Sequence, residues 1–264
     1  VASFEDLQNK INRNETADLP DDVMYDKDSY HLQNVEYIYM TKANRNQIKQ
    51  KLMEYGAAEC SMYAPETNSD CQTYGNTGKS DFTAYYCNNT SKTTNHSVLI
   101  VGWDDNYSAS NFNSKCRPSS DGAWLIRNSW GDCNSMGGYF WISYEDAMLQ
   151  AEKNEEAEVA FFDVEKADNY DNNYQYDGGI PFAYSRSFLR GANVFEAKAD
   201  EKMQAVSFYT QEANVNYEVS IYESPDSDNP MSGKLVSSLS GTIAERGYHL
   251  SLIHISEPTR RRGI

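Results

Sequence analysis

The sequence predicts an α+β fold, in which a short helix and several antiparallel strands form the first part and an all-β sandwich forms the second. Three observations support this prediction. A helical spacing of apolar residues ends at Gly56, three buried-strand patterns occur between residues 97 and 144, and short alternating runs separated by turn residues fill the chain beyond residue 160.

The helix is predicted over residues 46–55. Ile48, Leu52 and Tyr55 recur at the spacing of one helical face, and Gly56 is the residue type that commonly ends a helix. We therefore expect one short amphipathic helix with its apolar side on the core.

Strands are predicted where β-branched, aromatic and other apolar residues cluster between polar turns. In the first part the predicted strands are 57–63, 97–103, 123–127 and 138–144. In the second part they are 192–197, 204–210, 217–222 and 234–239. A long loop rich in Asn, Ser, Thr and Gly is predicted between the first of these strands and Thr94.

The composition changes near residues 150–165, where a Glu-rich stretch separates the two parts. The domains are therefore predicted at 1–155 and 160–249. The end of the chain needs a different explanation, because Leu250 to Arg260 resembles, residue for residue, the in-frame translation of a sequencing adapter. We interpret residues 250–264 as a non-native tail.

The charge and hydropathy of the chain exclude two classes of partner. The formal net charge is −16 at pH 7, which repels nucleic-acid phosphates, so no nucleic-acid partner is expected. No apolar run approaches the roughly 20 residues of a membrane helix, so the chain is not expected to span a membrane. Val1 opens a polar stretch and we interpret the N-terminus as cut, so the missing signal peptide says nothing about secretion.

The five cysteines form an odd set without a CxxC pair. This pattern argues against a zinc ribbon and against a complete disulfide framework, and it leaves one or two disulfides open. No metal and no other cofactor is predicted. The five are Cys60, Cys71, Cys87, Cys116 and Cys133.

The chemistry of a cysteine nucleophile requires a histidine that holds it as a thiolate, a side chain that orients this histidine, and donors for the oxyanion. Two of these groups can be located. His96 directly precedes the predicted strand 97–103, and Asn128 directly follows the predicted strand 123–127, with Trp130 two residues beyond. Taken alone, His96 is better explained as a histidine at a strand end, but the combination favours a site.

The motifs His96-x5-Gly102 and Asn128-Ser-Trp130-Gly131 resemble the C-terminal half of the papain family of cysteine peptidases. The resemblance implies that His96 is the general base and ion-pair partner of the cysteine, that Asn128 hydrogen-bonds the imidazole, and that Trp130 covers this bond from water. It also implies hydrolysis of a protein or peptide substrate through a thioester acyl-enzyme, within a truncated papain-like lobe.

The nucleophile is expected to be absent from this chain. In the family it lies in a Gln-x-x-x-x-x-Cys-x-x-Cys-Trp segment about 130 residues before the histidine. His96 has only 95 residues ahead of it, and none of the five cysteines has these neighbours. We therefore expect the chain alone to be inactive.

The second part resembles the lectin-like domain that follows papain-like domains in secreted bacterial peptidases. The resemblance rests on the aromatic and Asn/Asp-rich residues 170–179 and on the short strands after them, and it implies a secreted or cell-surface protein. A fold name does not define a ligand. Residues 168–177 could therefore bind a carbohydrate or cell-wall ligand or a calcium ion, or they could form a turn packed on the sheet.

The sequence thus predicts a fragment of a secreted bacterial papain-like cysteine endopeptidase that contains the His96 and Asn128 half of the site. The alternative is a non-catalytic cell-surface adhesion or binding protein that keeps the peptidase scaffold. A transglutaminase-like acyltransferase is disfavoured, because Asn128, and not an aspartate, occupies the orienting position.

Overall fold

The computed structural model describes residues 30–65, 71–74, 81–176, 190–226 and 228–253. Within these ranges it contains one α-helix, α1 (Arg45–Tyr55), and short 3₁₀ turns at Ala109–Asn111, Ala147–Leu149 and Ala167–Asn169. The strands are β1 (Tyr30–Tyr39), β2 (Ala58–Met62), β3 (Gln72–Tyr74), β4 (Phe82–Tyr85), β5 (His96–Asp104), β6 (Ala123–Arg127), β7 (Tyr139–Ser143), β8 (Glu158–Lys166), β9 (Ala205–Thr210), β10 (Val215–Glu223), β11 (Lys234–Ile243) and β12 (Arg246–Leu252).

Most of the strands belong to one sheet. Ten of them follow the order β3-β4-β7-β6-β5-β2-β8-β1-β12-β9, while β10 and β11 form a separate hairpin. The pairings are antiparallel except that of β4 with β7. The predicted α+β fold class is confirmed. No helix in the described ranges has the length and apolarity of a membrane span.

The helix forms where the apolar spacing predicts it. Ile48 and Leu52 are buried in the core beneath the sheet, as their shared helical face requires. Gly56 ends the helix with a positive φ of 83°, and its N–H donates to the carbonyl of Leu52 at 2.9 Å. A side chain at this φ would be strained, which explains the glycine.

The predicted loop ending at Thr94 is wrong in part, because β3 and β4 lie inside it. Phe82, Ala84 and Tyr85 on β4 are buried. β4 pairs in parallel with β7, with Ala84 opposite Trp141. The partner strand is distant in sequence and the surrounding residues are polar, so a local pattern could not reveal this pairing.

The all-β prediction for the second part is confirmed, but the strand predicted at 192–197 is wrong. The described residues 190–200 contain no strand, and Phe195 instead packs its ring on Tyr174 and Tyr176. The β10–β11 hairpin lies over the β9–β12 pair, because the Phe208 and Tyr217 rings meet at 5.0 Å. The Tyr217 hydroxyl also lies 3.1 Å from the Ser251 hydroxyl on β12, so the hairpin packs on this end of the sheet.

The junction between the two parts is a continuous ladder. β1, which the sequence patterns do not predict, pairs with β8 on one side and with β12 on the other. The buried His249 of β12 lies 2.8 Å from the Asn34 side chain of β1 and 2.9 Å from Thr210 of β9. Arg246 forms an ion pair with Glu158 and lies over the Tyr39 ring, 4.3 Å from its centroid.

The predicted domain limits stay a prediction. The limit at residues 155–160 falls at the start of β8, which pairs with both β2 and β1. The segment interpreted as non-native begins inside β12, where Leu250, Ser251 and Leu252 pair with β9. The other residues of this segment, from 254 onward, lie outside the described residues.

A fully buried carboxylate anchors the end of the first part. Asp146 accepts hydrogen bonds from the backbone N–H groups of Cys87 at 2.9 Å and Met148 at 3.0 Å. Burial raises the pKa of Asp146 from 3.8 to about 7, because the charged form loses its hydration.

The raised pKa of Asp146 predicts a specific dependence of stability on pH. Between pH 4 and 7 the native protein binds a proton that the unfolded chain has released, so stability falls as pH rises, by up to about 1 kcal/mol per pH unit from this group. Asp146→Asn is expected to remove this slope. Urea unfolding of both proteins at pH 5, 6 and 7 checks it, and parallel pH profiles would contradict it.

Candidate active site

His96 is held at the entrance of β5 by the residue before it. Its strand neighbour across the sheet is Met62 of β2. The Asn95 side chain accepts from the Ala64 N–H at 2.7 Å and donates to the Ala64 carbonyl at 2.9 Å, and the Asn95 N–H donates to the Met62 carbonyl at 3.0 Å. These three bonds fix the backbone from which the imidazole projects.

Asn128 and Trp130 complete the surroundings of the imidazole. His96 Nε2 lies 2.9 Å from Asn128 Oδ1. An amide oxygen only accepts, so Nε2 donates and carries the ring proton. The Trp130 ring stacks on the imidazole with centroids 4.8 Å apart and an interplanar angle of 25°. The structure therefore brings all three predicted site residues together.

The position of Asn128 is set by the strand pairing of β5, β6 and β7. It follows β6 directly, and its N–H donates to the carbonyl of Gly138 at 3.0 Å. Its side-chain oxygen also accepts from the Ser129 N–H at 2.9 Å. The side chain is 5% exposed, which protects its bond to His96 from competition by water.

The side chain of one asparagine stabilises the segment between β6 and β7 that contains Trp130. Asn134 donates to the carbonyls of Phe82 at 2.9 Å and Tyr139 at 2.7 Å, and accepts from the N–H groups of Met136 and Gly138. Four bonds from one side chain rigidify the segment between β6 and β7. The indole is therefore supported although it is half-exposed.

Sequence reasoning missed three of these supporting residues. Asn95, Asn134 and the buried Asp81, which accepts from the Ser135 N–H at 2.6 Å, act through side chain-to-backbone bonds. Such bonds leave no periodic signal. The available hint was the placement of Asn134 in a turn before two glycines, since asparagine commonly stabilises turns.

The site can hold and move a proton, but no nucleophile touches it. The contacts of the His96 ring among the described residues are Asn128 and Trp130. All five cysteines lie within the described part of the chain, and none is bonded to this imidazole. Cys60, on β2, is buried in the core, and burial raises the pKa of its thiol. A buried thiol with a raised pKa is a poor nucleophile.

The geometry of His96, Asn128 and Trp130 agrees with a comparison of the sequence with protein families. A model of papain family cysteine proteases matches residues 11–159, which is more than half of the chain. The chain belongs to the papain family of cysteine proteases. A model of lectin-like domains matches residues 173–259, so this papain-family chain continues into a lectin-like part.

Two solved structures are similar to this papain-family chain over nearly its whole length. The clostridial cysteine protease Cwp84 after propeptide cleavage is 30% identical with a TM-score of 0.68, and the match covers 96% of this chain and 57% of that chain. The cysteine protease and lectin-like domains of Cwp84, a surface layer associated protein of Clostridium difficile, are 29% identical with a TM-score of 0.68, with 96% and 51% covered.

The chain thus spans slightly more than half the length of these Cwp84 structures. A search of curated protein sequences found no match. The comparisons support the family and the order of its two parts. The roles of His96, Asn128 and Trp130 stay predictions.

Proposed function

We propose that this chain is a fragment of a secreted bacterial papain-like cysteine endopeptidase. It contributes His96 and Asn128 to an active site whose nucleophilic cysteine lies outside these residues, and it is inactive alone. The observation that supports this most is the 2.9 Å bond between His96 Nε2 and Asn128 Oδ1 beneath the Trp130 ring.

The hydrogen bond to Asn128 determines which nitrogen of the His96 imidazole can act in the proposed mechanism. Nε2 donates to Asn128, so Nδ1 is the nitrogen that can accept the proton of a cysteine thiol. The thiolate then attacks the peptide carbonyl, and His96 returns the proton to the leaving amine as the thioester forms. Water, deprotonated by the same nitrogen, hydrolyses the thioester and restores the thiol.

Two observations support a contribution from outside the chain. The Nδ2 atom of Asn128 is buried and has no hydrogen-bond partner among the described residues. An unpaired buried amide donor costs about 1–3 kcal/mol, so a further segment that accepts from it would stabilise the site. The match to only 57% of the Cwp84 chain is consistent with such a segment.

The experiment that tests this proposal is to recover the coding sequence upstream of Val1 and to produce the longer protein. We expect a cysteine with a glutamine six residues before it, and hydrolysis of an unfolded protein substrate that iodoacetamide abolishes. The chain that begins at Val1 should show no hydrolysis. Another residue in place of the cysteine would reject the proposal in favour of the non-catalytic binding protein.

For the lectin-like part we propose a carbohydrate or cell-wall ligand. Tyr176 is 72% exposed and stacks on Phe195 with centroids 4.7 Å apart. Nearby, the Glu201 carboxylate accepts from the side chains of Asn172 at 2.8 Å and Tyr174 at 2.5 Å. A positioned aromatic face beside polar groups is the type of surface that binds small polar ligands with apolar faces.

Tyr176→Ala is therefore expected to weaken retention of the protein on purified bacterial cell-wall polysaccharide by about fivefold, corresponding to the ~1 kcal/mol of an aromatic contact. The matched control is Tyr30→Ala, another exposed tyrosine, which lies on β1. Equal retention of both variants and the unaltered protein would contradict this assignment.

A further inference from the structure

Three of the five cysteines meet at the edge of the ten-stranded sheet. Cys71 directly precedes β3, Cys87 lies just beyond β4, and Cys116 lies on the segment between β5 and β6. All are thiols in this structure. They play no part in the site around His96, and the fold gathers them from three separate segments.

The backbone places Cys71 beside Cys87. Gln72 of β3 pairs with Tyr85 of β4, and the Tyr86 N–H donates to the Cys71 carbonyl at 2.9 Å. The thiol of Cys71 lies within hydrogen-bonding distance of the Cys87 thiol. The ladder that joins the two strands therefore also places Cys71 and Cys87 close together.

Cys116 is a second neighbour of Cys71. Its thiol contacts Cys71 and donates to the Tyr86 carbonyl, with sulfur and oxygen 3.4 Å apart. Burial raises the pKa of the Cys116 thiol. In contrast, the hydrogen bond from Cys71 lowers the pKa of Cys87. Because the thiolate is the attacking form, Cys87 is better suited than Cys116 to react with Cys71.

Exposure separates the roles of the two sulfurs. Cys71 is only partly buried, whereas Cys87 is 2% exposed, so Cys71 is the more accessible of the two residues. The Cys87 backbone is fixed by its bond to Asp146 at 2.9 Å and by the bond from the Ala147 N–H to its carbonyl at 2.8 Å. Cys87 is therefore positioned to attack Cys71 but is shielded from molecules in solution.

We propose that Cys71 and Cys87 form a disulfide by exchange with a small-molecule disulfide such as oxidised glutathione. Cys71 passes its proton to the Cys87 thiolate and its sulfur attacks one sulfur of the small disulfide, and the first small thiolate leaves and takes that proton from Cys87. The Cys87 thiolate then attacks the Cys71 sulfur of the mixed disulfide and expels the second. The two protein thiols lose two protons and two electrons, and the small disulfide gains them as it becomes two thiols.

The Cys71–Cys87 disulfide would link the edge strand β3 covalently to the strand beside it. Among the described strands β3 pairs with β4 alone, and Gln72 and Thr73 on it are only partly buried. A disulfide that closes a loop of about 15 residues removes conformational freedom from the unfolded chain. We expect the thermal midpoint to rise by about 5–10 °C on oxidation.

The test is to incubate the folded protein with oxidised glutathione, unfold it in urea with iodoacetamide to block the remaining thiols, digest with trypsin and Glu-C and identify linked peptides by mass spectrometry. Trypsin cleaves after Lys79 and Lys115 and Glu-C cleaves after Glu66, so Cys60, Cys71, Cys87 and Cys116 fall on different peptides. We expect a Cys71–Cys87 link and the rise in thermal midpoint, both reversed by dithiothreitol. Alkylation of all five cysteines, or a link from Cys71 to Cys116, would overturn the proposal.

Serine variants supply the controls. Cys116→Ser and Cys133→Ser should both keep the link and the rise in thermal midpoint, and Cys87→Ser should lose them. If Cys87→Ser does not fold, the peptide map of the unaltered protein still decides. Retention of the full rise in a folded Cys87→Ser would also overturn the assignment of this pair.

Discussion

Replacing His96 by alanine in the proposed longer protein is expected to lower kcat/KM for peptide hydrolysis by about 10³-fold or more. Without the imidazole no group accepts the thiol proton, since Asn128 and Trp130, the two contacts of His96, cannot act as bases. The loss should appear mainly in kcat, because the proposed role of His96 is to accept and return the thiol proton and not to bind the bulk of the substrate.

The matched control for this variant is His31→Ala. His31 is also partly exposed and hydrogen-bonded, to Asn169 at 2.7 Å, but it lies on β1, which β2 and β8 separate from β5 in the sheet. Its replacement is expected to leave kcat/KM within about twofold, as for a surface substitution away from the site. Equal losses in both variants, or full activity of His96→Ala, would reject the assigned role of His96.

The site residues could be predicted because two adjacent strands present them. β5 and β6 are joined in register, with Leu99 opposite Arg127, so the start of β5 meets the end of β6. His96 and Asn128 occupy those two ends. Both strands are strongly apolar and bounded by polar turns, which makes their limits visible in the sequence.

The apolar patterns that predict the strands do not predict which strands pair with each other. Apolar alternation shows that a segment is a strand, but it does not show which strand lies beside it. β1 pairs with β12, and these strands come from opposite ends of the described chain. The continuity of the sheet from the papain-like part into the lectin-like part therefore appeared only in the structure.

Gly247 is the position where this continuity is most sensitive to substitution. It lies on β12, opposite Glu36 of β1 and Thr210 of β9. A Cβ added there would overlap the carbonyl oxygen of Val35, and the φ of 145° is one that side chains rarely adopt. β1 can approach β12 this closely only because the residue has no side chain.

Gly247→Ala is expected to lower the free energy of unfolding by about 3 kcal/mol or more, because the overlap is with backbone and neither strand can yield without breaking its ladder. Urea denaturation measures this loss. The matched control is Gly191→Ala, where an added Cβ meets no atom within 4 Å and φ is not positive. That change should stay within about 0.5 kcal/mol.

Two optical probes can show whether the loss at Gly247 reaches the papain-like part. All four tryptophans, at positions 103, 124, 130 and 141, lie in the papain-like part, so their fluorescence reports on that part, whereas far-ultraviolet circular dichroism reports on both. Since β12 pairs with β1 and β1 with β8, the strain at Gly247 should destabilise the whole sheet. In Gly247→Ala the urea midpoint of unfolding should therefore fall by the same amount whether fluorescence or circular dichroism is measured. A shift in the dichroism alone would mean that the lectin-like part unfolds separately, and that the β1–β12 ladder does not couple the two parts.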